Sequence, residues 1–119
     1  MRTRPQKVAS AIRREVSSII QKELRDPRIG FTTVTRIEIT PDLRCAKIYY
    51  SVFGNDKKKK STQVALNNAS GFVRGLIGDR LKLRFAPDII FKMDKSAEYT
   101  ERVNKILDKI HKEKEAQEK

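Results

Sequence analysis

The chain has 119 residues and carries 27 Lys and Arg against 15 Asp and Glu, which gives a net charge of +12. This length suits one domain with a single core and excludes two full domains. The charge predicts a polyanionic partner. Nucleic acid is favoured over a membrane because the sequence has no Trp and no amphipathic segment with bulky aromatics. Residues 1–94 hold 20 basic against 9 acidic residues, so the body and not the tail should carry the binding surface.

Cysteine content and hydropathy indicate the compartment. The single cysteine, Cys45, excludes an internal disulfide and is typical of a reducing environment. It lies in a predicted strand, where a semi-buried position is expected. No apolar run reaches membrane-spanning length, and the first residues lack the apolar core of a secretory signal. We therefore expect a cytoplasmic protein with no membrane partner.

The first predicted element is an amphipathic helix. Thr3 and Pro5 are typical of a helix start, since proline in the first turn loses no hydrogen bond. Apolar residues then recur every three or four positions: Val8, Ile12, Val16, Ile19, Ile20 and Leu24. The segment 26–30, with Pro27 and Gly30, is predicted to end the helix.

Two strands are predicted next. Residues 32–40 are rich in Thr, Val and Ile, and residues 44–53 alternate apolar with other side chains. Pro41 and Asp42 between them are typical of a tight turn, so the strands should form an antiparallel hairpin. Residues 54–60, with four consecutive lysines, are predicted to be a polar loop.

A central helical segment is predicted to begin at Ser61 or Thr62. It presents a wide apolar stripe, and three of the five glycines of the chain lie on or beside the opposite line at 71, 75 and 78. Each helical glycine costs about 1 kcal/mol relative to alanine. We predict a break at residues 69–71 that separates two helices. The glycines admit either a phosphate backbone or a closely packed neighbouring helix.

The chain should end with a short strand and a helix. Ile89, Ile90, Phe91 and Met93 follow Pro87 and predict a third strand. Ser96 is predicted to cap a last helix. Its apolar side would comprise Tyr99, Val103, Ile106, Leu107 and Ile110. Residues 111–119 should fray, which divides the chain into a body, 1–94, and a C-terminal helix with a charged tail, 95–119.

The predicted order, α-β-β-α-α-β-α with a three-stranded sheet packed against helices, is an α+β arrangement that resembles the type II KH fold of many RNA-binding proteins. Several segments also resemble the ribosome-binding factor A family. They are DPRIG at 26–30, ITPDLRCAKI at 39–48, ASGFVR at 69–74, LKLRFAP at 81–87 and SAEY at 96–99. The resemblance extends from about residue 8 to residue 110.

That resemblance implies a bacterial factor that binds the immature 30S ribosomal subunit and its 16S rRNA late in assembly. The family is connected with processing of the 5′ end of that rRNA and with growth in the cold, and its members are not nucleases. For this chain it implies a KH-like RNA-binding domain over 1–94, a monomer, no cofactor and no catalysis.

The resemblance also bears on the central segment. Other KH domains use a Gly-x-x-Gly loop, whereas this family has an Ala-x-Gly interhelical kink, which here is Ala69, Ser70 and Gly71. Gly75 and Gly78 have the Gly-x-x-Gly spacing, but the two residues between them are bulky and apolar. We interpret that match as fortuitous.

A basic surface around the kink is the predicted RNA-binding site. Arginine grips phosphate through two parallel hydrogen bonds, lysine adds a point charge, and helix N-termini at the kink would add backbone N–H donors. Each residue alone could equally be solvated surface. The predicted set is Arg4, Lys7, Arg13, Ser70, Gly71, Arg74, Arg80, Lys82 and Arg84. Tyr49 and Phe53 could stack on bases, although packing beneath a helix is favoured.

Catalysis has little support in the sequence. The one histidine, His111, lies in the charged tail, which excludes a histidine-based triad or metal site, and no phosphate-binding Gly-rich loop is present. Two alternatives to an assembly factor remain, an RNA-processing enzyme and a permanent ribosomal protein. Cleavage of precursor 16S rRNA would identify the first, and retention on mature subunits the second.

Overall fold

The computed structural model describes residues 3–96 and 105–110. Its elements are α1 (Arg4–Lys22), β1 (Phe31–Ile39), β2 (Cys45–Phe53), α2 (Asp56–Leu81) and β3 (Asp88–Met93). The sheet has the order β1-β2-β3, with β2 antiparallel to β1 and parallel to β3. Both helices pack on the sheet, so the predicted α+β class with a three-stranded sheet against helices is confirmed.

Helix α1 begins as predicted. The hydroxyl of Thr3 accepts a hydrogen bond from the backbone N–H of Gln6 at 3.3 Å, and the Gln6 side chain accepts one from the Thr3 N–H at 2.9 Å. This reciprocal pair satisfies two donors at the helix end. Ile12, Val16 and Ile19 are fully buried, and the helix packs mainly on β1.

The predicted antiparallel hairpin is also confirmed. The carbonyl of Thr40 accepts a 2.8 Å hydrogen bond from the N–H of Leu43, which places Pro41 at the second turn position. The Thr40 hydroxyl accepts from the N–H of Cys45 at 3.1 Å. One extra residue, Thr35, interrupts the register of β1 as a bulge, and Cys45 is semi-buried as expected.

The predicted start of the central helix was wrong. Helix α2 begins at Asp56, and Asn55 caps it through a 2.8 Å hydrogen bond from the Lys58 N–H to Oδ1. The four lysines therefore form the first turns of the helix and not a loop. Asn is among the strongest N-cap residues and lysine is a good helix former, which together outweigh the polarity of the run. Thr62 is buried inside the helix.

The predicted break at residues 69–71 was wrong as well, because α2 is a single helix of 26 residues. Leu66, Val73 and Ile77 on either side of that point are fully buried. Burial of such side chains stabilises by about 1.5–3 kcal/mol each, which exceeds the cost of one glycine. The Ser70 hydroxyl donates to the carbonyl of Asn67 at 2.9 Å within the helix.

Strand β3 forms where it was predicted, but the cap of the following helix differs. The N–H of Ser96 donates to Oδ1 of Asp94 at 2.9 Å, and residues 95–96 are already helical, so Asp94 and not Ser96 is the cap. Residues 105–110 are helical, and Ile106, Leu107 and Ile110 are exposed. The predicted positions Tyr99 and Val103 and the tail 111–119 lie outside the described residues.

Candidate nucleic-acid interface

A cleft opens at the end of the sheet where β2 and β3 begin, and we call it the arginine cleft. The start of α1, the β1–β2 turn, α2 and the segment before β3 enclose a volume of about 610 Å³. Its lining residues are Arg4, Val8, Asp42, Leu43, Arg44, Arg74, Leu83, Arg84, Phe85, Ala86, Pro87 and Asp88. Four arginines from four separate parts of the chain thus meet at one concave surface.

The fold positions the arginines of this cleft through few and weak contacts. Arg74 donates from Nε to the carbonyl of Ala86 at 3.2 Å, and its guanidinium lies 3.5 Å from the carboxylate of Asp88. Arg44 lies 3.8 Å from the carboxylate of Asp42. These carboxylate pairs are exposed and near the limit of an ion pair, so a phosphate can displace either carboxylate at little cost.

Asp42 accepts hydrogen bonds from its own turn. The Thr40 hydroxyl donates to its carboxylate at 2.7 Å, and the N–H of Arg44 donates to the same oxygen at 3.1 Å. These hydrogen bonds, the hydroxyl first, lower the pKa of Asp42 below its usual value. The same hydrogen bonds hold the turn beneath Arg44 closed.

Two residues beside the arginine cleft have a left-handed backbone. Leu43 has φ 62° and Lys82 has φ 51°, and neither is a glycine. The N–H of Leu43 donates to Thr40, and the N–H groups of Lys82 and Leu83 donate to the carbonyl of Gly78, which holds both turns in place. Such backbone costs roughly 1 kcal/mol per residue or more for a residue other than glycine, and here it ends helix α2 at Lys82 and closes the β1–β2 turn at Leu43.

The structure separates the predicted basic residues into groups. Arg4, Arg74 and Arg84 line the arginine cleft, and Lys82 is exposed next to its lining residue Leu83. The other members of the predicted set lie elsewhere. Nine helical positions separate Arg13 from Arg4, which places Arg13 on the opposite flank of α1. Lys7 is exposed on the outer surface of the same helix.

Arg80 has a structural role in this fold. Its guanidinium lies 3.2 Å from the carboxylate of Glu15 and also pairs with Glu23, so it joins α2 to α1. It is not among the residues that line the arginine cleft.

The residues of the predicted kink lie on α2. Because the helix continues through Ser70 and Gly71, their backbone N–H groups are not at a helix N-terminus, and the predicted role of those N–H groups as phosphate donors was wrong. A Cβ added at Gly71 or at Gly75 would meet no atom within 4 Å, whereas one at Gly78 would lie 3.0 Å from the Cβ of Ala86. Of the three glycines of α2, close packing among the described residues therefore explains only Gly78.

Sequence reasoning missed two members of the arginine cleft, Arg44 and Phe85. Phe85 is 78% exposed, and the Arg84 guanidinium carbon lies 5.5 Å from its ring centroid. Both residues lie in segments that carry the family resemblance, Arg44 in 39–48 and Phe85 in 81–87. The sequence alone does not show that these two segments lie side by side in the fold.

Packing of Tyr49 and Phe53 beneath a helix, the favoured expectation, was wrong. Phe53 is 79% exposed on the face of the sheet opposite the helices, directly across from the exposed Phe31 of β1. Tyr49 lies on the same face, where its hydroxyl donates to Glu38 at 3.1 Å and the Arg36 guanidinium carbon lies 3.9 Å from its ring centroid.

The described residues lack two kinds of feature. Over 3–96 and 105–110, no three or more His, Cys, Asp or Glu side chains are grouped so that they could hold a metal ion. Neither long helix in that part of the chain has the length and apolar content needed to cross a bilayer.

The sequence matches a family model described as ribosome-binding factor A over residues 4–107. The ribosome-binding factor A of Halothermothrix orenii is 42% identical over 115 residues, which cover 97% of this chain and 94% of that protein. The ribosome-binding factor A of Geobacter metallireducens is 48% identical over 110 residues, 92% of this chain and 93% of that protein.

Structures of other proteins have a fold similar to that of this chain. A crystal structure of ribosome-binding factor A from Thermus thermophilus is 21% identical with a TM-score of 0.67 and covers 76% of this chain and 97% of that one. A homology model of the Thermus thermophilus factor was fitted into a cryo-EM map of a 30S complex. Its sequence is 21% identical to this one, its TM-score is 0.64, and the match covers 75% of this chain and 93% of that one. At these identities the likeness establishes the fold.

Proposed function

Because the chain belongs to the ribosome-binding factor A family, we propose that it binds the immature 30S subunit by placing 16S rRNA against the arginine cleft. The observation that carries this proposal is the convergence of four arginines on one concave surface of a chain with net charge +12. Phosphate contacts supply most of the affinity of such a surface for nucleic acid. The Thermus thermophilus relative fitted into a map of a 30S complex supports the choice of partner.

The proposed action is conformational. A protein can favour one rRNA arrangement only if it binds that arrangement more tightly than the competing ones. A cleft of defined shape provides such a difference, because it accepts an rRNA segment in some conformations and not in others. The factor then assists late maturation of the subunit, including processing of the 16S rRNA 5′ end by separate nucleases, and supports growth in the cold. It acts as a cytoplasmic monomer with no cofactor and no catalysis of its own, through its KH-like body.

The predicted residues outside the arginine cleft extend this surface in the proposal. Lys82 lies at its border, Lys7 is about one turn of α1 from Arg4, and Ser70 and Gly71 lie on α2 about one turn before Arg74. Arg13 and Arg80 stay predictions that the geometry does not favour, since one is on the far flank of α1 and the other is paired with two glutamates.

Binding to immature subunits at several salt concentrations tests the proposal. The double variant Arg4→Ala, Arg84→Ala removes two charges of the arginine cleft that have no carboxylate partner among the described residues. We expect weaker binding and a slope of log affinity against log salt that is smaller by about 2. The control is Arg14→Ala, Arg25→Ala, which removes two exposed charges elsewhere on the molecule.

If both double variants lose the same affinity for immature subunits, the arginine cleft is not the binding site, and the protein is attracted to RNA only by its net charge. Sedimentation and a cleavage assay with the wild-type protein address the two alternatives. Release from mature subunits is expected, and retention there would indicate a permanent ribosomal protein. Cleavage of precursor 16S rRNA by the purified protein would indicate a nuclease and overturn the proposal of a factor without catalysis.

A further inference from the structure

The arginine cleft differs from an ordinary phosphate-binding patch in having an apolar interior. Val8, Leu43, Leu83 and Pro87 line it beside the arginines, and Phe85 adds a ring that is 78% exposed. A surface that only attracts the backbone of a duplex needs charge and no exposed ring. The apolar lining and the ring suit the flat face of a base.

The size of the arginine cleft sets a limit on what it holds. A volume of about 610 Å³ lies within the range of pockets that enclose small ligands. Paired bases inside a double helix are stacked and cannot enter such a space, whereas an unpaired base in a loop, bulge or single strand can be splayed out into it.

The charges are placed at the border of this apolar interior. Four arginines oppose the two carboxylates of Asp42 and Asp88, so the cleft keeps an excess of two positive charges. Each nucleotide within a strand is flanked by two phosphates, and arginines on separate elements can reach both. A free mononucleotide would offer one phosphate group to the same arginines.

We propose that the arginine cleft binds one unstacked nucleotide of single-stranded RNA, with the base against Phe85 and the flanking phosphates on the arginines. This rests on the proposed function, because it specifies which part of an rRNA the same site would hold. It predicts that the protein distinguishes unpaired from paired RNA at equal charge.

Fluorescence anisotropy with labelled RNA tests this with variants that keep every charge. Phe85→Ala should weaken binding of a short single strand about tenfold or more, in line with the loss of one stacked base. The salt dependence should stay unchanged, because no phosphate contact is lost. The matched control is Phe31→Ala, since Phe31 is 78% exposed and lies outside the cleft. Both variants should leave the affinity for a blunt-ended duplex without a loop unchanged.

A strand that carries 2-aminopurine gives a second readout. Its fluorescence should rise when the wild-type protein binds, because a base splayed out of the strand loses quenching by its stacked neighbours, and this rise should disappear in Phe85→Ala even at saturating protein. A rise in Phe85→Ala equal to wild type, or equal affinity losses in Phe85→Ala and Phe31→Ala, would overturn the proposal. Complete displacement of the strand by millimolar AMP would overturn it too, in favour of a mononucleotide site.

The two proposals fail in different ways. If the wild-type protein does not bind immature subunits, the proposed function is wrong whatever the short strands show. If the wild-type protein binds subunits with the expected salt dependence but Phe85→Ala behaves like Phe31→Ala, only the nucleotide pocket is wrong.

Discussion

The two halves of α2 differ in the contacts that their polar residues and glycines make with the rest of the fold. In the first half the buried hydroxyl of Thr62 accepts from the N–H of Gly30 at 3.0 Å and contacts the carbonyl of Lys58 at 2.8 Å. The Lys58 ammonium donates to the carbonyl of Pro27 at 3.1 Å. In the second half Gly71 and Gly75 face open space, and Arg74 lies in the arginine cleft.

This contrast separates residues whose contacts stabilise the fold from residues that make no such contact. Lys58, Ser61 and Thr62 of the first half bond to residues 27–30 and hold that segment against the helix, so the fold accounts for them. Gly71 and Gly75 of the second half weaken the helix by about 1 kcal/mol each, and no contact among the described residues offsets that loss. Both glycines lie in the half that borders the candidate site.

Thr62→Val should produce the largest effect on stability. Valine has nearly the same shape but leaves the N–H of Gly30 without its partner, and an unsatisfied buried donor is costly. We expect the free energy of unfolding to fall by about 2–3 kcal/mol, measured by urea denaturation. Gln63→Ala at the exposed neighbouring position should change it by less than about 0.5 kcal/mol. If Thr62→Val and Gln63→Ala lower the free energy of unfolding equally, the hydrogen bonds of Thr62 do not stabilise the fold.

Gly71→Ala should have the opposite sign. Alanine meets open space at this position and favours the helix, so the free energy of unfolding should rise by about 1 kcal/mol. The same variant should bind immature subunits more weakly if RNA approaches the helix here. Gly78→Ala is the control, since its Cβ would crowd Ala86 and gain no stability. A stabilised Gly71→Ala with unchanged affinity would show that the exposed glycine is not a contact.

Lys82→Gly should stabilise the protein by about 0.5–1 kcal/mol. The left-handed backbone at φ 51° costs lysine free energy that glycine does not lose. Lys82→Ala removes the same charge but keeps the backbone cost, so thermal unfolding of the two variants isolates the effect of the backbone. If both variants unfold at the same temperature, Lys82 is not strained.

The smallest effect should come from Asp26, in the segment that the first half of α2 holds. Hydrogen bonds from the Arg28 side chain, and next from its backbone N–H, lower the pKa of Asp26 from 3.8 to about 2. A carboxylate with a depressed pKa contributes stability that is complete above about pH 3.8 and is lost as the pH falls through about 2. The stability difference between wild type and Asp26→Asn should therefore vanish at strongly acidic pH.

An NMR titration of the Asp26 carboxyl group measures this pKa directly. Arg28→Ala should return it towards the ordinary value of 3.8, because the principal cause is removed. A titration curve that is the same in both proteins would show that Arg28 does not hold the carboxylate.

The sequence predicted the elements whose periodicity is unambiguous. The apolar spacing of α1 and the Pro41–Asp42 turn gave the first helix and the hairpin close to their observed bounds. Local preference already favours the observed start of α2, since Asn55 is a strong N-cap residue and lysine is a good helix former. The polarity of the lysine run and the capping tendency of Thr62 instead predicted a later start. The helix also survives its glycines, since tertiary burial outweighs helix propensity.

The candidate site was predicted only in part for a different reason. Arg4, Arg74 and Arg84 were chosen by charge and by their place near the expected kink, and these three do meet. Arg44 and Phe85 complete the arginine cleft but come from a turn and a connecting segment, which show no periodic signal. Arg44 and Phe85 come together because β3 pairs in parallel with β2, so that both strands begin at the same end of the sheet. This pairing cannot be predicted from the type of any single residue.

The bulge in β1 connects two distant parts of the chain. Thr35, the extra residue, donates to Asp94 at 2.6 Å, and Asp94 also receives the N–H of Ser96 and donates its own N–H to Tyr50. Through its carboxylate and its backbone, Asp94 thus joins the hairpin and the central strand to residues 95–96. A change at Thr35 in the middle of β1 would therefore reach the turn that follows β3, although 59 positions separate the two residues.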